Sequence, residues 1–145
     1  MMLQFSNTLM IKSAPEEIFN YLNRMENYPE WNYAVSEIKR TGYGAEGEKY
    51  QLHRNQIGPG MENVTVTERI ENKKLTMELS GGWFPYSVAY EITSDAEKTM
   101  LTNNVTIHSS GMNGLVAKIF QGNLKKAVGE NLQVLKAILE KKTRS

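Results

Sequence analysis

The sequence contains no cysteine and only two histidines among its 145 residues. The absence of cysteine excludes a disulfide framework, a thiolate nucleophile and any zinc or iron–sulfur site built on cysteine. The histidines, His53 and His108, match no metal-binding spacing, and strand alternation directs both to an outer face. We therefore predict no metal site and no cofactor.

The sequence also lacks an excess of charge and a long apolar run. Seventeen Lys and Arg against sixteen Asp and Glu give a net charge of +1, so no global field attracts nucleic acid or an anionic membrane. No segment approaches the ~20 apolar residues of a membrane span, and the start "MMLQFSNTLMIKSAPEE" does not resemble a secretion signal. We predict a cytoplasmic protein without stable membrane insertion. Its length suits one domain, 1–145, that buries roughly 70% of its unfolded surface.

The first elements are a strand and two short helices. In "LQFSNTLMI" apolar and polar residues alternate, which predicts an edge strand. The next segment, "SAPEEIFNYLNRM", predicts a helix, with a capping box formed by Ser13 and Glu16 and with Pro15 in the first turn. The "NYPEWN" segment predicts a turn or a second short helix, with Tyr28 and Trp31 packed inward. The helix directs its apolar face to the core through Ile18, Leu22 and Met25.

From Ala34 to His108 the chain predicts six strands in an antiparallel meander. Opposed residues of a hairpin share a face, so the turns predict the register. Two-residue turns at Asn72-Lys73 and Gly81-Gly82, and longer loops at "IGPG" and "DAEK", align one row across the inner face. That row carries one carboxylate among apolar and aromatic side chains, and it reads Tyr50, Glu68, Met77, Tyr86, Ile107.

The last element is an amphipathic helix from Leu115 to Lys141. Its apolar side chains recur every three or four residues and form a stripe wide enough to cover a sheet. Since the inner face of the meander is the only large apolar surface available, we expect the helix to lie across it. The stripe comprises Val116, Phe120, Leu124, Val128, Leu132, Leu135 and Leu139.

This order of elements resembles the START-like superfamily (SRPBCC), and most closely its polyketide cyclase/dehydrase and lipid transport group. The resemblance lies in "IKSAPEEIFNYLNRMENYPEWN", in "GEKY" at Gly47, in the "VTERIENKKL" hairpin and in "NLQVLKAILE". It implies an α+β helix-grip fold, in which a seven-stranded antiparallel sheet wraps around the long C-terminal helix. It also implies a cavity for an apolar or amphipathic small molecule, and it carries over no catalytic residue.

The predicted ligand-binding residues lie on the inner face of the sheet and on the apolar stripe of the helix. Glu68, the candidate catalytic residue, is either a pocket carboxylate that meets a ligand or acts as an acid or base, or a structural glutamate hydrogen-bonded to the Tyr50 hydroxyl or a nearby donor, and we favour the second. Arg54 either holds an acidic ligand group near the mouth or is solvated, and again we favour the second. The full set is Trp31, Tyr50, Leu52, Arg54, Glu68, Met77, Phe84, Tyr86, Val88, Tyr90, Asn103, Phe120 and Leu124.

Three functions are compatible with these patterns. The first is binding or transport of a hydrophobic small molecule, such as a lipid, a polyketide or an isoprenoid-like compound, favoured by eight methionines that suit an adaptable pocket. The second is a polyketide cyclase or dehydratase that uses Glu68 as acid or base. The third is a protein-interaction module. The sequence leaves open the ligand, its conversion and the oligomeric state.

Overall fold

The computed structural model describes residues 2–45, 47–55, 60–82, 84–95, 98–108 and 114–144. Seven strands and three α-helices lie within these residues, with a short 3₁₀ turn at Met25–Asn27. In chain order they are β1 (Met2–Ile11), α1 (Pro15–Asn23), α2 (Tyr28–Trp31), β2 (Val35–Gly44), β3 (Gly47–Arg54), β4 (Met61–Ile70), β5 (Lys74–Ser80), β6 (Tyr86–Asp95), β7 (Lys98–His108) and α3 (Gly114–Arg144).

The strands form one antiparallel sheet in the order β1-β7-β6-β5-β4-β3-β2. The predicted meander from β2 to β7 is confirmed, and β1 pairs with β7 as the predicted edge strand. The long helix α3 packs against β1 and α2. The predicted α+β helix-grip architecture is therefore confirmed.

The two halves of α3 pack differently. Leu132, Leu135 and Leu139 in the C-terminal half are buried in the core, whereas Phe120 and Leu124 in the N-terminal half are only half-buried. The Val116 side chain lies outside the described part of the structure. In the described residues, no helix combines the length and apolar character that crossing a bilayer requires.

The start of α1 differs from the predicted capping box. Ala14, rather than Ser13, occupies the N-cap position with an extended ψ of 150°. The reason is Pro15, since a proline disfavours helical geometry in the residue before it. Ser13 instead donates a hydrogen bond from Oγ to Oε2 of Glu17 at 2.8 Å. The predicted inward packing of Tyr28 and Trp31 is confirmed.

The predicted register is confirmed between β6 and β7, where Tyr86 pairs with Ile107. The β5–β6 register is wrong, because Tyr86 pairs with Leu79 rather than Met77. This difference of two residues leaves every side chain on its predicted face. The loop that joins the two strands is longer than the predicted Gly81-Gly82 turn.

The β3–β4 register is also wrong, since Tyr50 pairs with Val64 and Leu52 pairs with Glu62. Much of the "IGPG" loop that joins these strands, residues 57–59, lies outside the described residues. The difference is an even number of residues, so the predicted faces are kept while the neighbours across the sheet change.

The β4–β5 register is wrong in a way that does change faces. The connecting loop spans residues 71–73, and Asn72 adopts a left-handed φ of 62°, which asparagine tolerates. A bulge at Thr67 then separates the Val66–Met77 pair from the Glu68–Thr76 pair. Beyond the bulge, Arg69 rather than Glu68 therefore shares the face of the buried Leu75, and the residues from Thr67 to Ile70 are exposed.

The β2–β3 hairpin depends on the absence of a side chain at Gly47. Its φ is 139°, and an added Cβ would lie 2.0 Å from the carbonyl oxygen of Val66. We expect Gly47→Ala to lower the free energy of unfolding by ~2 kcal/mol or more, because a backbone atom must move and the φ is unfavourable for alanine.

The control is Gly122→Ala, in an open position of α3 where an added Cβ meets no atom within 4 Å. This change should instead stabilise the protein by up to ~1 kcal/mol, through helix propensity. Urea unfolding of both variants tests the contrast. Equal stabilities would show that the hairpin relaxes around Gly47.

Candidate ligand-binding cavity

A cavity of about 520 Å³ lies between the inner face of the sheet and α3. Its walls are mostly apolar, and a limited number of polar side chains interrupt them. The described lining residues are Phe5, Tyr28, Trp31, Asn32, Ala34, Arg54, Glu62, Gly82, Phe84, Tyr86, Val88, Tyr90, Asn103, Val105, Ile107, Phe120, Leu124, Ala127, Val128 and Asn131.

Most of the predicted site residues reach this cavity. The structure places Trp31, Arg54, Phe84, Tyr86, Val88, Tyr90, Asn103, Phe120 and Leu124 in its wall. Tyr50, Leu52 and Met77 lie on the inner face, but they are buried in packed core and do not line the cavity. Their ligand contacts are therefore not supported.

Glu68 corrects the predicted inner row. Its side chain is 44% exposed and lies 3.2 Å from Nζ of Lys74. The Tyr50 hydroxyl, proposed as its partner, donates instead to Oε1 of Glu48. The cause is the bulge at Thr67, which moves Glu68 to the outer face. The prediction that Glu68 lies on the inner face was therefore wrong, and its hydrogen-bond donor is the nearby Thr76 hydroxyl, at 3.3 Å.

The carboxylate that does reach the cavity is Glu62, which the sequence reasoning missed. It lies opposite Leu52 on the inner face, and its side chain is only 4% exposed. A signal was present, since Glu62, Val64 and Val66 alternate along one strand and share a face. The predicted β3–β4 register placed Glu68 opposite Tyr50, so Glu68 rather than Glu62 was predicted as the inner-face carboxylate.

Arg54 is a second correction, because the solvated position that we favoured is wrong. Its side chain is 18% exposed and pairs with Glu62, with Nε donating to Oε2. Its Nη2 donates to the Tyr86 hydroxyl at 2.6 Å. Arg54, Glu62 and Tyr86 thus form one hydrogen-bonded group, which we call the Arg54 cluster.

The electrostatics of the Arg54 cluster keep the arginine charged and the phenol neutral. Burial acts to lower the pKa of Arg54, but Tyr86 and Glu62 raise it overall. Burial raises the pKa of Tyr86, a rise that Arg54 opposes and Glu62 increases. Tyr86 therefore accepts from the guanidinium and retains its proton for donation.

A second polar group lies where α2 meets β6. The hydroxyls of Tyr28 and Tyr90 are 3.2 Å apart and buried. Burial raises the pKa of both phenols, and for Tyr90 the neighbouring Tyr28 adds to the rise while Asn103 opposes it. Both hydroxyls therefore act as neutral hydrogen-bonding groups in the wall.

Aromatic rings border the cavity. Phe84 and Phe120 meet edge to face with ring centroids 5.2 Å apart, and this contact joins the segment before β6 to α3. Trp31 meets Tyr90 in the same manner at 6.2 Å. Such pairs are stabilised beyond the area that they bury, so they hold the walls around the space.

Neither histidine lines the cavity. Across the described residues, no three His, Asp or Glu side chains are grouped so that they could hold a metal ion. The polar chemistry of the cavity rests on the Arg54 cluster, the tyrosine pair and the asparagines of its wall.

Comparison with known proteins identifies the family. Residues 2–140 match the model of the family described as polyketide cyclase / dehydrase and lipid transport. The match spans most of the chain, so the protein belongs to this family, and the START-like resemblance is confirmed. No curated protein matches the sequence.

Solved structures share the fold at low sequence identity. The di-domain ARO/CYC protein StfQ from the steffimycin biosynthetic pathway superposes with a TM-score of 0.81 at 14% identity. The alignment covers 99% of this chain but 52% of StfQ, so the chain spans about half of that protein.

Two further structures match over nearly their whole lengths. A START superfamily protein from Mycobacterium smegmatis has a TM-score of 0.70 at 20% identity, with 96% of this chain and 95% of that chain covered. A protein from Thermus thermophilus has a TM-score of 0.72 at 14% identity, with 93% and 95% covered. At these identities the likeness establishes the fold alone.

The Arg54–Glu62 pair yields a stability prediction. Glu62→Gln removes one charge of a largely buried pair and leaves the guanidinium uncompensated, so it should cost roughly 2 to 3 kcal/mol of unfolding free energy. The matched control Glu68→Gln removes an exposed charge and should change stability by less than ~0.5 kcal/mol.

The double variant Arg54→Met/Glu62→Leu distinguishes the loss of the whole ion pair from the loss of one partner. It removes both charges and should recover most of the loss in Glu62→Gln. Urea unfolding measures all three variants. A Glu62→Gln protein as stable as Glu68→Gln would show that the pair is solvated.

Proposed function

We propose that this protein binds and carries a hydrophobic small molecule, such as a lipid, a polyketide or an isoprenoid-like compound, in the cavity between sheet and α3. The observation that carries the proposal is the cavity of about 520 Å³ with its mainly apolar wall. Sites for small molecules commonly measure ~300 to 1,000 Å³ and combine apolar walls with a few placed polar groups.

The construction of the wall supports this proposal. Native interiors are close-packed, and an empty apolar space forfeits the contacts of its lining atoms. Here Phe120 and Leu124 of α3 remain half-buried, and they line the cavity together with Val88 and Val105 of the sheet. An apolar ligand between them would restore those contacts and remove the exposed apolar area from water.

The comparisons support the same proposal. The family description names lipid transport beside polyketide cyclases and dehydrases, and StfQ belongs to a biosynthetic pathway. A small-molecule partner is compatible with both. The absence of a nucleic-acid partner and the cytoplasmic location remain predictions from composition.

A cyclase or dehydratase-type reaction is the second candidate, favoured by the 2.6 Å contact between Arg54 and Tyr86. Tyr86 would donate its proton to a ligand carbonyl oxygen, and Arg54 would stabilise the phenolate that remains. Tyr86→Phe should then lower turnover by ~10² to 10⁴-fold and leave binding intact. Unchanged turnover would reject this candidate.

The carrier function predicts binding of Nile red, a neutral apolar dye, with a rise in its fluorescence. Ala127 lines the cavity from α3, so Ala127→Trp should fill space and weaken dye binding by about tenfold or more. The matched control is Ala137→Trp at an exposed position of the same helix, which should bind like the wild type.

Circular dichroism would verify that both tryptophan variants are folded. Equal dye binding by the two would place the dye elsewhere and contradict the proposal. Native mass spectrometry of protein purified from its own host complements this test, because a retained molecule identifies the ligand class directly.

A further inference from the structure

The charged groups of the cavity cancel one another. Arg54 and Glu62 are the charged side chains among its described lining residues, and they are joined in one ion pair. A ligand carboxylate at Arg54 would add a second negative charge beside Glu62, whose charge the guanidinium already balances. Because an unpaired buried charge is strongly unfavourable, the cavity selects against anionic ligands.

Two buried oxygen atoms of the wall remain unpartnered. Oδ1 of Asn103 and Oδ1 of Asn131 accept no hydrogen bond from any described residue. The two residues are only 1% and 6% exposed, and both line the cavity. Buried polar atoms are nearly always hydrogen-bonded, so two free acceptors on residues of one cavity wall favour a ligand that brings a donor group.

The orientation of the Asn131 amide follows from its neighbours. Oδ1 of Asn32 accepts a hydrogen bond from the backbone N–H of Ala34 at 3.2 Å. The same oxygen accepts from Nδ2 of Asn131 at 3.2 Å. A flipped Asn131 would place oxygen against oxygen, so its free atom is the acceptor.

The free acceptors approach from two sides. Asn103 lies on β7 opposite Tyr90, while Asn131 lies on α3. The apolar part of the wall, with Val88 and Phe120, continues from there. A ligand lying between sheet and helix therefore adjoins one of these two asparagines in each layer.

We infer that the ligand is an uncharged, mainly apolar molecule with a hydroxyl or similar donor group, which donates a hydrogen bond to Oδ1 of Asn103 or Asn131. This inference rests on the proposed carrier function and specifies the chemical class of its ligand. A donor gains a partner there, an ether or hydrocarbon leaves both oxygens unpaired, and a carboxylate adds a negative charge that the Arg54 cluster does not balance.

Four fluorescent probes of one shape test the inference. They are 9-phenanthrol, 9-methoxyphenanthrene, phenanthrene and phenanthrene-9-carboxylate, titrated at a pH where the phenol is neutral. We expect 9-phenanthrol to bind about tenfold more tightly than the ether or the hydrocarbon, as one buried hydrogen bond implies. The carboxylate should bind most weakly.

Variants assign the donor contact. Asn103→Val and Asn131→Leu each remove one acceptor, and at least one should reduce the preference of phenol over ether to less than about twofold. The matched controls are Asn104→Val, on the outer face of the same strand, and Asn123→Leu, exposed on the same helix. Both controls should keep the preference.

The outcomes separate this inference from the proposed function. Equal affinities for phenol and ether, or tightest binding of the carboxylate, would overturn the inference while the cavity still binds. Retention of the preference in both acceptor variants would also overturn it. Failure of all four probes to bind would overturn the proposed function and this inference together. The wild-type comparison of phenol with ether decides the matter even if a variant does not fold.

Discussion

One helix has to cover one face of a seven-stranded sheet, and the rest of the structure depends on how far it can do so. Leu132, Leu135 and Leu139 meet the core closely, whereas Phe120 and Leu124 remain half-buried. The same helix therefore closes the core at one end and leaves a cavity at the other.

The polar groups of that cavity are arranged to limit the cost of burial. The Arg54 cluster satisfies a cation and a carboxylate by pairing them, and Tyr28 and Tyr90 satisfy each other's hydroxyls. Among the described residues, the buried side-chain atoms that lack a hydrogen-bond partner are Oδ1 of Asn103 and Oδ1 of Asn131. The proposed recognition of a ligand therefore rests on a few unpaired atoms within an otherwise balanced wall.

The fold could be predicted from sequence because its signals are long and redundant. The apolar stripe repeats along nearly the whole of α3, and alternation in β6 and β7 placed Tyr86, Val88 and Tyr90 on the correct face. A register error of an even number of residues does no harm to such assignments. The cavity wall from the sheet and from α3 was therefore largely predictable.

Glu68 and Glu62 show what could not be predicted. A bulge at Thr67 has no strong local signature, because nearly any residue can occupy one, and it inverted the faces of the strand that follows. The length of the β3–β4 loop likewise had to be assumed. The assumed length led to the prediction of Glu68, rather than Glu62, as the carboxylate of the inner face. Contacts that converge from several elements, such as Arg54 with Glu62 and Tyr86, depend on these local irregularities.

The position of β1 has a consequence for how the chain is made. During synthesis Met2–Ile11 leaves the ribosome before the other six strands of the sheet, yet its partner is Lys98–His108. The hairpins from β2 to β7 can form in order as they emerge. In contrast, β1 has no strand partner until β7 has been synthesised. Its polar residues, among them Ser6, Asn7 and Thr8, mean that the unpaired strand is not a uniformly apolar edge.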